Sequence, residues 1–235
     1  MKLIDFIKFK RKDFKKAREL RRQGIKPFKD FGLTLFTGRQ GSGKTMSLVF
    51  EAERYRVQFP RLYICSNFGY VHENEPLKSL ADIPKAVLKA KELEAPGVLI
   101  LWDEIQNDFD SFSKVSRDVL AVVTQQRKQG IKILGTSQVF TRVSKALREQ
   151  TYEVVTCRTF MGRWTKSKFY DAEDYAHNIE KPEEKRHMTR LRTVSFVQSD
   201  DLRNLYDSYA VIRTLSERSL EEQKQPNIMV VNQNS

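Results

Sequence analysis

The chain contains a glycine-rich loop of a kind that joins a buried strand to a helix. Residues 38–45 read Gly-Arg-Gln-Gly-Ser-Gly-Lys-Thr and match the pattern G-x-x-x-x-G-K-[ST]. A short apolar run at 33–37 precedes the loop, and a helical pattern at 44–56 follows it. Glycines let such a loop curl so that its backbone amides face a phosphate, and the helix N-terminus adds positive potential. The order of strand, loop and helix favours phosphate binding over a glycine-rich turn that binds nothing.

This loop predicts a site for ATP with Mg²⁺. We expect Lys44 to reach the β- and γ-phosphates and the Thr45 hydroxyl to bind Mg²⁺. Contacts with the nucleotide are expected from the loop and the start of its helix, at Gly38, Arg39, Gln40, Gly41, Ser42, Gly43, Lys44, Thr45 and Met46.

An acid pair follows a second apolar run. Residues 98–102 read Val-Leu-Ile-Leu-Trp and lead directly into Asp103 and Glu104, 59 residues after Lys44. A buried strand that ends in two carboxylates needs a reason, because charge is costly to desolvate. We expect Asp103 to hold Mg²⁺ through water and Glu104 to act as general base on the attacking water. Taken alone, such a pair could cap a helix. Beside the loop it indicates an ATPase rather than a small-molecule kinase, because a kinase must keep water from being activated.

A further strand, Ile-Lys-Ile-Leu-Gly-Thr-Ser-Gln, ends in polar residues. Either Gln138 or Thr136 could sense the γ-phosphate and orient water, and ordinary capping of the strand end is the alternative. Arg127 precedes this strand, and Arg142 and Arg148 follow it. We expect one of these arginines to act on the nucleotide of a neighbouring subunit, and we favour Arg127. A surface or ion-pair role is the alternative for each.

The rest of the core alternates strands and helices. Strands are expected at 33–37, 61–66, 98–102, 131–135 and 152–157, and helices at 44–56, 83–93, 115–128 and 142–148. This alternation predicts an α/β fold with a mostly parallel sheet flanked by helices. Beyond the core we expect an antiparallel hairpin at 156–170, a loop at 176–192 and a helix at 200–214.

Four segments follow from this pattern: a basic N-terminal arm (1–28), a P-loop ATPase core (29–160), a C-terminal hairpin and helix (161–220) and a disordered tail (221–235). Trp164 at the hairpin tip is expected to pack, with contact to a partner as the alternative. Cys65 and Cys157 lie in apolar runs and are expected to be buried free thiols in a reducing compartment, with a disulfide between them as the alternative. No apolar run approaches the roughly 18–20 residues of a membrane span and no signal peptide is visible, so a cytoplasmic location is expected.

Charge points to an anionic partner. The net charge is +12, and residues 1–30 carry +8 of it on a helical pattern with apolar positions. This arm could bind nucleic acid or an anionic membrane, or it could be a solvated helix that packs one stripe on the domain.

The sequence resembles a known superfamily. Together with the loop and the acid pair, residues 125–138 resemble the FtsK–HerA superfamily of DNA-pumping ATPases, and within it the phage ATPases of the zonular occludens toxin family. The resemblance covers about residues 30–160. It implies a RecA-like P-loop NTPase core, a homo-oligomeric ring (a hexamer is favoured), DNA as partner, and ATP-driven DNA movement during virion assembly. A location in the bacterial host, peripheral at the membrane or procapsid, would follow.

Many toxin-family members have a membrane span after the ATPase domain, and the sequence shows none. This favours soluble packaging ATPases of the same superfamily, or docking at the membrane through a partner. The leading interpretation is a DNA motor of a phage or mobile element, acting in genome packaging or DNA translocation. Two alternatives stay open: a membrane-associated ATPase for filamentous phage assembly or extrusion, which would contact a virion or membrane assembly protein, and a nucleotide-switched scaffold with slow turnover.

Overall fold

The computed structural model describes residues 3–22, 24, 26–79, 82–107 and 130–207. A mixed sheet forms the centre of this part of the chain. Its strands are β1 (Gly32–Thr37), β2 (Tyr63–Ser66), β3 (Glu75–Pro76), β4 (Val98–Trp102), β5 (Ile131–Ser137), β6 (Thr151–Phe160), β7 (Trp164–Asp171) and β8 (Arg190–Val197). Their spatial order is β3-β2-β4-β5-β1-β6-β7-β8.

The strands from β3 to β6 run parallel, and β7 and β8 add to the sheet in antiparallel fashion. Strand β5 lies between β1 and β4, so the strand before the glycine-rich loop and the strand before the acid pair both pair with it. Because the carboxyl ends of parallel strands share one edge, the loop, the acid pair and the end of β5 meet there. The expected parallel sheet is confirmed.

The helices are α1 (Leu3–Arg22), α2 (Lys44–Gln58), α3 (Ile83–Glu92), α4 (Lys145–Arg148), α5 (Ala172–Glu180) and α6 (Asp200–Arg203), with 3-10 turns at Ile105–Asn107 and Phe140–Arg142. Apolar side chains of α2 pack on one face of the sheet, and those of α3, α4 and α5 pack on the other. Strand β4 is buried along its whole length, as expected for a strand covered on both faces. Within the described residues, no helix is long and apolar enough to cross a membrane.

Three expectations about secondary structure are wrong. The helix expected at 142–148 is split into a 3-10 turn and α4, because Val143 has extended backbone angles. The loop expected at 176–192 contains the end of α5 and the start of β8. Helix α5 begins where the Asp171 carboxylate accepts hydrogen bonds from two backbone amides, and its apolar face packs on the sheet.

The helix expected at 200–214 ends at Arg203, and Tyr206 pairs with Tyr70 instead. Four expectations lie outside the described residues: the helix at 115–128, Arg127, the remainder of 200–214 beyond residue 207, and the tail at 221–235. The expected hairpin is confirmed as β6 and β7, and both strands lie in the same sheet as the core. The division into segments stays a prediction.

Both cysteines are free and buried, as expected. Burial raises the pKa of the Cys65 thiol to about 12 and that of the Cys157 thiol to about 11. At neutral pH both are therefore neutral thiols in the core. Trp164 is only partly packed: 54% of its surface is exposed, and its ring lies 5.8 Å from the Phe160 ring.

Candidate nucleotide-binding site

The loop between β1 and α2 requires glycine at its two ends. Gly43, the residue before α2, has φ +88°, and a Cβ there would lie 2.3 Å from Thr159 Oγ1. Gly38 has φ +149°, and a Cβ there would lie 2.6 Å from Ser42 Oγ. Because any side chain would meet neighbouring atoms in both places, the tight loop follows from the glycines of the motif.

The two residues after Gly43 bring the motif's polar groups into the site. Lys44 is buried, and its ammonium donates to the Arg39 carbonyl oxygen at 3.4 Å, so the side chain folds back over its own loop. The Thr45 hydroxyl donates to the Asp103 carboxylate, with oxygen distances of 3.1 and 3.3 Å. Residues that are 58 positions apart in the sequence thus form one polar site.

Asp103 is held from both sides. Its backbone amide donates to Asn67 Oδ1 at 2.7 Å, and Asn67 Nδ2 donates to the Asp103 carbonyl oxygen at 3.0 Å. The Thr136 hydroxyl donates to Asp103 Oδ1 at 2.5 Å. Burial raises the pKa of the Asp103 carboxyl above its ordinary value, although the hydrogen bonds from Thr136 and Thr45 oppose this shift.

Glu104 adopts a backbone conformation that side-chain-bearing residues rarely take, with φ +54°. Its backbone amide donates to Thr136 Oγ1 at 2.9 Å. Its carboxylate accepts hydrogen bonds from two side-chain amides, those of Gln106 and, at 3.3 Å, Gln138. Such strain persists only where the surroundings fix the residue, and here the Thr136 hydroxyl and two amides do so.

The structure brings together most of the side chains proposed from the sequence. Lys44, Thr45, Asp103, Glu104 and Gln138 meet at the carboxyl edge of β1, β4 and β5. Both alternatives for the polar strand end contact the acid pair. Thr136 forms hydrogen bonds with both acids, whereas Gln138 contacts only the Glu104 carboxylate.

Other proposed residues lie at the margin of this cluster. The side chains of Arg39 and Gln40 are exposed, and that of Met46 is buried in the core. Arg148 forms an ion pair with Glu180 at 2.8 Å. Its guanidinium also lies 5.6 Å from the centre of the Phe140 ring, as a structural arginine would. Arg142 is exposed in the 3-10 turn that follows β5.

Sequence reasoning missed the residues that support the site. Asn67 directly follows β2 and Gln106 follows the acid pair, so a polar residue at a strand end was the available signal for both. Gln106 is buried, and its Oε1 has no hydrogen-bond partner among the described residues.

A second supporting group comes from β6, β7 and the segment after β8. The Thr159 hydroxyl donates to the Ser42 carbonyl oxygen at 3.0 Å and lies 2.8 Å from the Thr165 hydroxyl. Gln198 Nε2 donates to Thr165 Oγ1 at 2.8 Å, and the Arg203 guanidinium donates to Gln198 Oε1 at 2.9 and 3.1 Å. A chain of hydrogen bonds therefore connects the glycine-rich loop to α6.

The donor set fits Mg²⁺ carried with a nucleotide. Thr45 and Asp103 present only oxygen atoms, and these lie within 3.3 Å of one another. Mg²⁺ is commonly bound by one or two carboxylates together with substrate phosphates, not by a complete protein cage. In the part of the chain that the structure describes, no group of three or more His, Cys, Asp or Glu side chains could hold a metal ion. The arrangement as a whole fits the phosphate-binding loop and acid pair that the sequence predicts.

Comparisons with known proteins gave structural matches only. No family model and no curated protein matches the sequence. The structure is similar to the N-terminal domain of zonular occludens toxin from Neisseria meningitidis, with a TM-score of 0.49 and 16% identity over 75% of this chain and 98% of that one.

It is also similar to the genome packaging NTPase B204 from Sulfolobus turreted icosahedral virus 2, solved with ATP-gammaS. That match has a TM-score of 0.47 and 13% identity over 60% of this chain and 92% of that one. The first belongs to the toxin family that the sequence resembles, and the second is a genome packaging NTPase. TM-scores below 0.5 do not carry function from one protein to another, so the chemistry must follow from the chain's own geometry.

Proposed function

We propose that this protein is a Mg²⁺-dependent ATP hydrolase. One observation carries the proposal: Thr45 of the glycine-rich loop and Asp103 of the acid pair are hydrogen-bonded to each other, with Glu104 beside them. This contact brings three elements together: a loop that can bind phosphates, an oxygen donor set for Mg²⁺ and a carboxylate that can accept a proton from water.

Each residue then has a distinct task. Lys44 neutralises charge on the β- and γ-phosphates, for which its ammonium leaves the Arg39 carbonyl. Thr45 and Asp103 hold Mg²⁺, which when bound neutralises charge that develops on the phosphate oxygens. The Glu104 carboxylate accepts the proton of the water that attacks the γ-phosphorus, and ADP leaves.

Two side-chain amides assist this proton transfer. The hydrogen bonds that Gln106 and Gln138 donate to Glu104 fix the direction of its carboxylate. Gln138 lies at the exposed end of β5, where it can also contact a γ-phosphate or the attacking water. The Thr136 hydroxyl holds both acids in position, because it donates to the Asp103 carboxylate and accepts from the Glu104 amide.

We further propose that hydrolysis drives DNA movement for a phage or mobile element, in genome packaging or translocation during virion assembly. The net charge of +12 and the resemblance to DNA-pumping ATPases support this. A ring of subunits, with six favoured, would place Arg127 at a neighbour's nucleotide. Mixing Lys44→Ala with Arg127→Ala subunits should then restore partial turnover, and a strictly monomeric enzyme with full turnover would contradict the ring.

One observation favours the membrane-associated assembly ATPase as second candidate. On the basic helix α1, large apolar side chains are exposed, among them Leu3 at 75%, Phe14 at 77% and Phe9 at 60%. A basic helix with exposed apolar residues fits an anionic membrane surface. Deletion of residues 2–22 should abolish binding to anionic vesicles if this candidate holds. If the arm grips DNA instead, the deletion should flatten the salt dependence of DNA binding by about 0.9 per lost phosphate contact.

Steady-state ATP turnover without DNA, with single-stranded DNA and with duplex DNA tests the proposed function. We expect measurable turnover that DNA stimulates, and no turnover in Lys44→Ala. Turnover that DNA leaves unchanged would favour the nucleotide-switched scaffold. Wild-type turnover in Lys44→Ala would place the active site elsewhere.

A further inference from the structure

Strands β6 and β7 have two faces with different tasks. Side chains alternate between the faces of a strand, so Thr159 and Thr165 share one face, which supports the glycine-rich loop. The opposite face, here called the outer face, carries Arg158, Phe160, Trp164, Lys166 and Lys168. In the register of the two strands, Arg158 lies opposite Lys166 and Phe160 lies opposite Trp164. Cations and aromatic rings therefore occupy neighbouring rows of the sheet.

The aromatic rings of the outer face are accessible and held in place. Trp164 is 54% exposed, yet its ring nitrogen donates to Ser195 Oγ on β8 at 2.6 Å. The Phe160 ring lies 5.8 Å from the Trp164 ring, and the Arg158 guanidinium lies 4.8 Å from the Phe160 ring. Beside them, Arg158, Phe160, Lys166 and Lys168 line a groove of about 340 Å³. The surface thus offers flat rings whose positions are fixed before any ligand arrives.

The charge of the outer face is not balanced within the described part of the chain. Arg158, Lys166 and Lys168 take part in none of the ion pairs found there, and no acidic residue is in register beside them. Arg192, on the opposite face of β8, is a useful contrast. It forms ion pairs with Glu51 at 3.8 Å and with Glu153 at 2.7 Å. Arg192 on the inner side is thus neutralised by the protein, whereas the three cations of the outer face remain available to an anionic ligand.

We propose that the outer face binds single-stranded nucleic acid, with phosphates at Arg158, Lys166 and Lys168 and unpaired bases stacked on Phe160 and Trp164. Nucleic acid suits this surface because the rings lie among the cations, as bases lie among phosphates. A duplex would not suit it, because paired bases cannot leave the stack to cover the rings. The inference rests on the proposed function in one respect, namely that the protein acts on DNA. It assigns the binding of that DNA to the outer face.

The position of the face links it to the nucleotide site. Thr159, which contacts the loop at Ser42, lies between Arg158 and Phe160 in the sequence of β6, and Thr165 lies between Trp164 and Lys166 in β7. One pair of strands therefore carries the proposed nucleic-acid surface on one side and supports the phosphate loop on the other.

Binding of a fluorescent oligothymidine of about 16 nucleotides to the full chain, without ATP, tests this inference. Trp164→Ala should weaken binding roughly 5- to 150-fold, which is the loss of one base stack of about 1–3 kcal/mol. Lys166→Ala with Lys168→Ala should lower the slope of log affinity against log salt by about 0.7 per lost phosphate contact. The exposed cations Lys85 and Lys91 of α3 provide a control of equal charge, and the equally exposed Tyr152 provides an aromatic control.

Tryptophan fluorescence gives a second readout that does not depend on a substitution that weakens binding. Trp102 is fully buried and Trp164 is exposed, so quenching of the exposed fraction by unlabelled oligothymidine reports stacking on Trp164. Quenching in the wild type that is lost in Trp164→Phe, or weakened binding in the outer-face variants alone, supports the inference.

Three outcomes would overturn the inference. If the outer-face variants bind like the wild type while DNA still stimulates ATP turnover, the DNA surface lies elsewhere and only this inference fails. If the wild type neither binds DNA nor responds to it in turnover, the proposed motor fails as well. If the variants lose binding to anionic phosphatidylserine vesicles but keep oligonucleotide binding, the outer face is a membrane surface.

Discussion

The two ends of the sheet contribute to the nucleotide site in different ways. At the parallel end, the segments after β1, β4 and β5 carry the groups that we propose contact the nucleotide, and each segment follows a fully buried strand. At the antiparallel end, β6 and β7 deliver hydroxyl groups that contact only the protein, at the backbone of the loop. The parallel end carries the proposed catalytic groups, and the antiparallel end fixes the conformation of the glycine-rich loop.

This division predicts that substitutions at the two ends will have different kinds of effect on the site. A group that contacts the nucleotide cannot be replaced without loss of turnover. A group that supports the loop acts through position, so its replacement should change stability and nucleotide affinity first. Variants at the two ends should therefore separate into different classes, and the predictions below order them by expected effect.

Gly43→Ala should have the largest effect, because Gly43 lies where the glycine-rich loop contacts β6 and β7. The new Cβ would lie 2.3 Å from Thr159 Oγ1, at φ +88°. Left-handed backbone costs about 1–2 kcal/mol for a residue with a side chain, and overpacking adds about 1–3 kcal/mol. We expect loss of nucleotide binding together with a lower melting temperature, measured by calorimetry and by titration with a fluorescent ATP analogue.

Gly162→Ala provides the matched control. Gly162 has φ +70°, but a Cβ there would meet nothing within 4 Å, so it isolates the cost of the backbone conformation. If both variants lose the same stability and both keep nucleotide binding, contact between β6 and the loop has no role in the site.

Thr136→Val should lower turnover roughly 10- to 100-fold, the usual loss when a residue that positions metal ligands is replaced. The hydroxyl donates to Asp103 and accepts from the Glu104 amide, so its removal affects both acids. Thr136→Ser keeps the hydroxyl and should keep most of the turnover. Equal turnover in the two variants would show that the hydroxyl does not position the acids.

Thr165→Val should act mainly on stability. Thr165 is fully buried and its hydroxyl links Thr159 to Gln198, so two polar side chains would lose a hydrogen-bond partner at a cost of about 1–3 kcal/mol. We expect lower nucleotide affinity and nearly unchanged turnover at saturating ATP. Thr193→Val on the exposed side of β8 should stay within about 0.5 kcal/mol of the wild type. A large fall in saturated turnover for Thr165→Val would place the antiparallel end in the chemistry.

The smallest effect concerns Cys157, a buried residue of β6 at the antiparallel end of the sheet. Its thiol has a pKa raised by burial to about 11, so the reactive thiolate is rare at pH 8, about 100-fold rarer than for an ordinary thiol. Iodoacetamide should modify the folded protein slowly, with a rate that rises with pH through 10, and should leave ATP turnover unchanged. Rapid modification of the native protein at pH 8 would mean that this part of the core opens.

The sequence was sufficient for the parallel end because the chemistry there requires adjacent residues. The loop must have its glycines next to Lys44 and Thr45, and the two acids must directly follow a strand, so a short motif identifies each. The topology followed as well, because a run such as β4, apolar in every position, must be covered on both faces.

The antiparallel end could not be predicted in the same way. The hydrogen bond from Thr159 to Ser42 spans 117 residues, and nothing about a threonine at a strand end indicates which residue it will contact. Helix α5 was missed because its sequence is mostly polar. Asp171 caps the helix only because β7 ends there, and the sequence does not mark that end. Asn67 was missed because it acts on the backbone of Asp103, which no side-chain pattern records.

The hydrolysis of ATP by Glu104→Gln is the most direct test of the account, because Glu104 is the only group assigned to accept a proton from water. The substitution keeps the side chain's size and removes its charge, while Thr45 and Asp103 remain to hold Mg²⁺. Single-turnover hydrolysis should fall by roughly 10²–10⁴. ATP affinity, measured by titration of the same sample, should stay within a few-fold of the wild type. Hydrolysis at the wild-type rate would contradict the account.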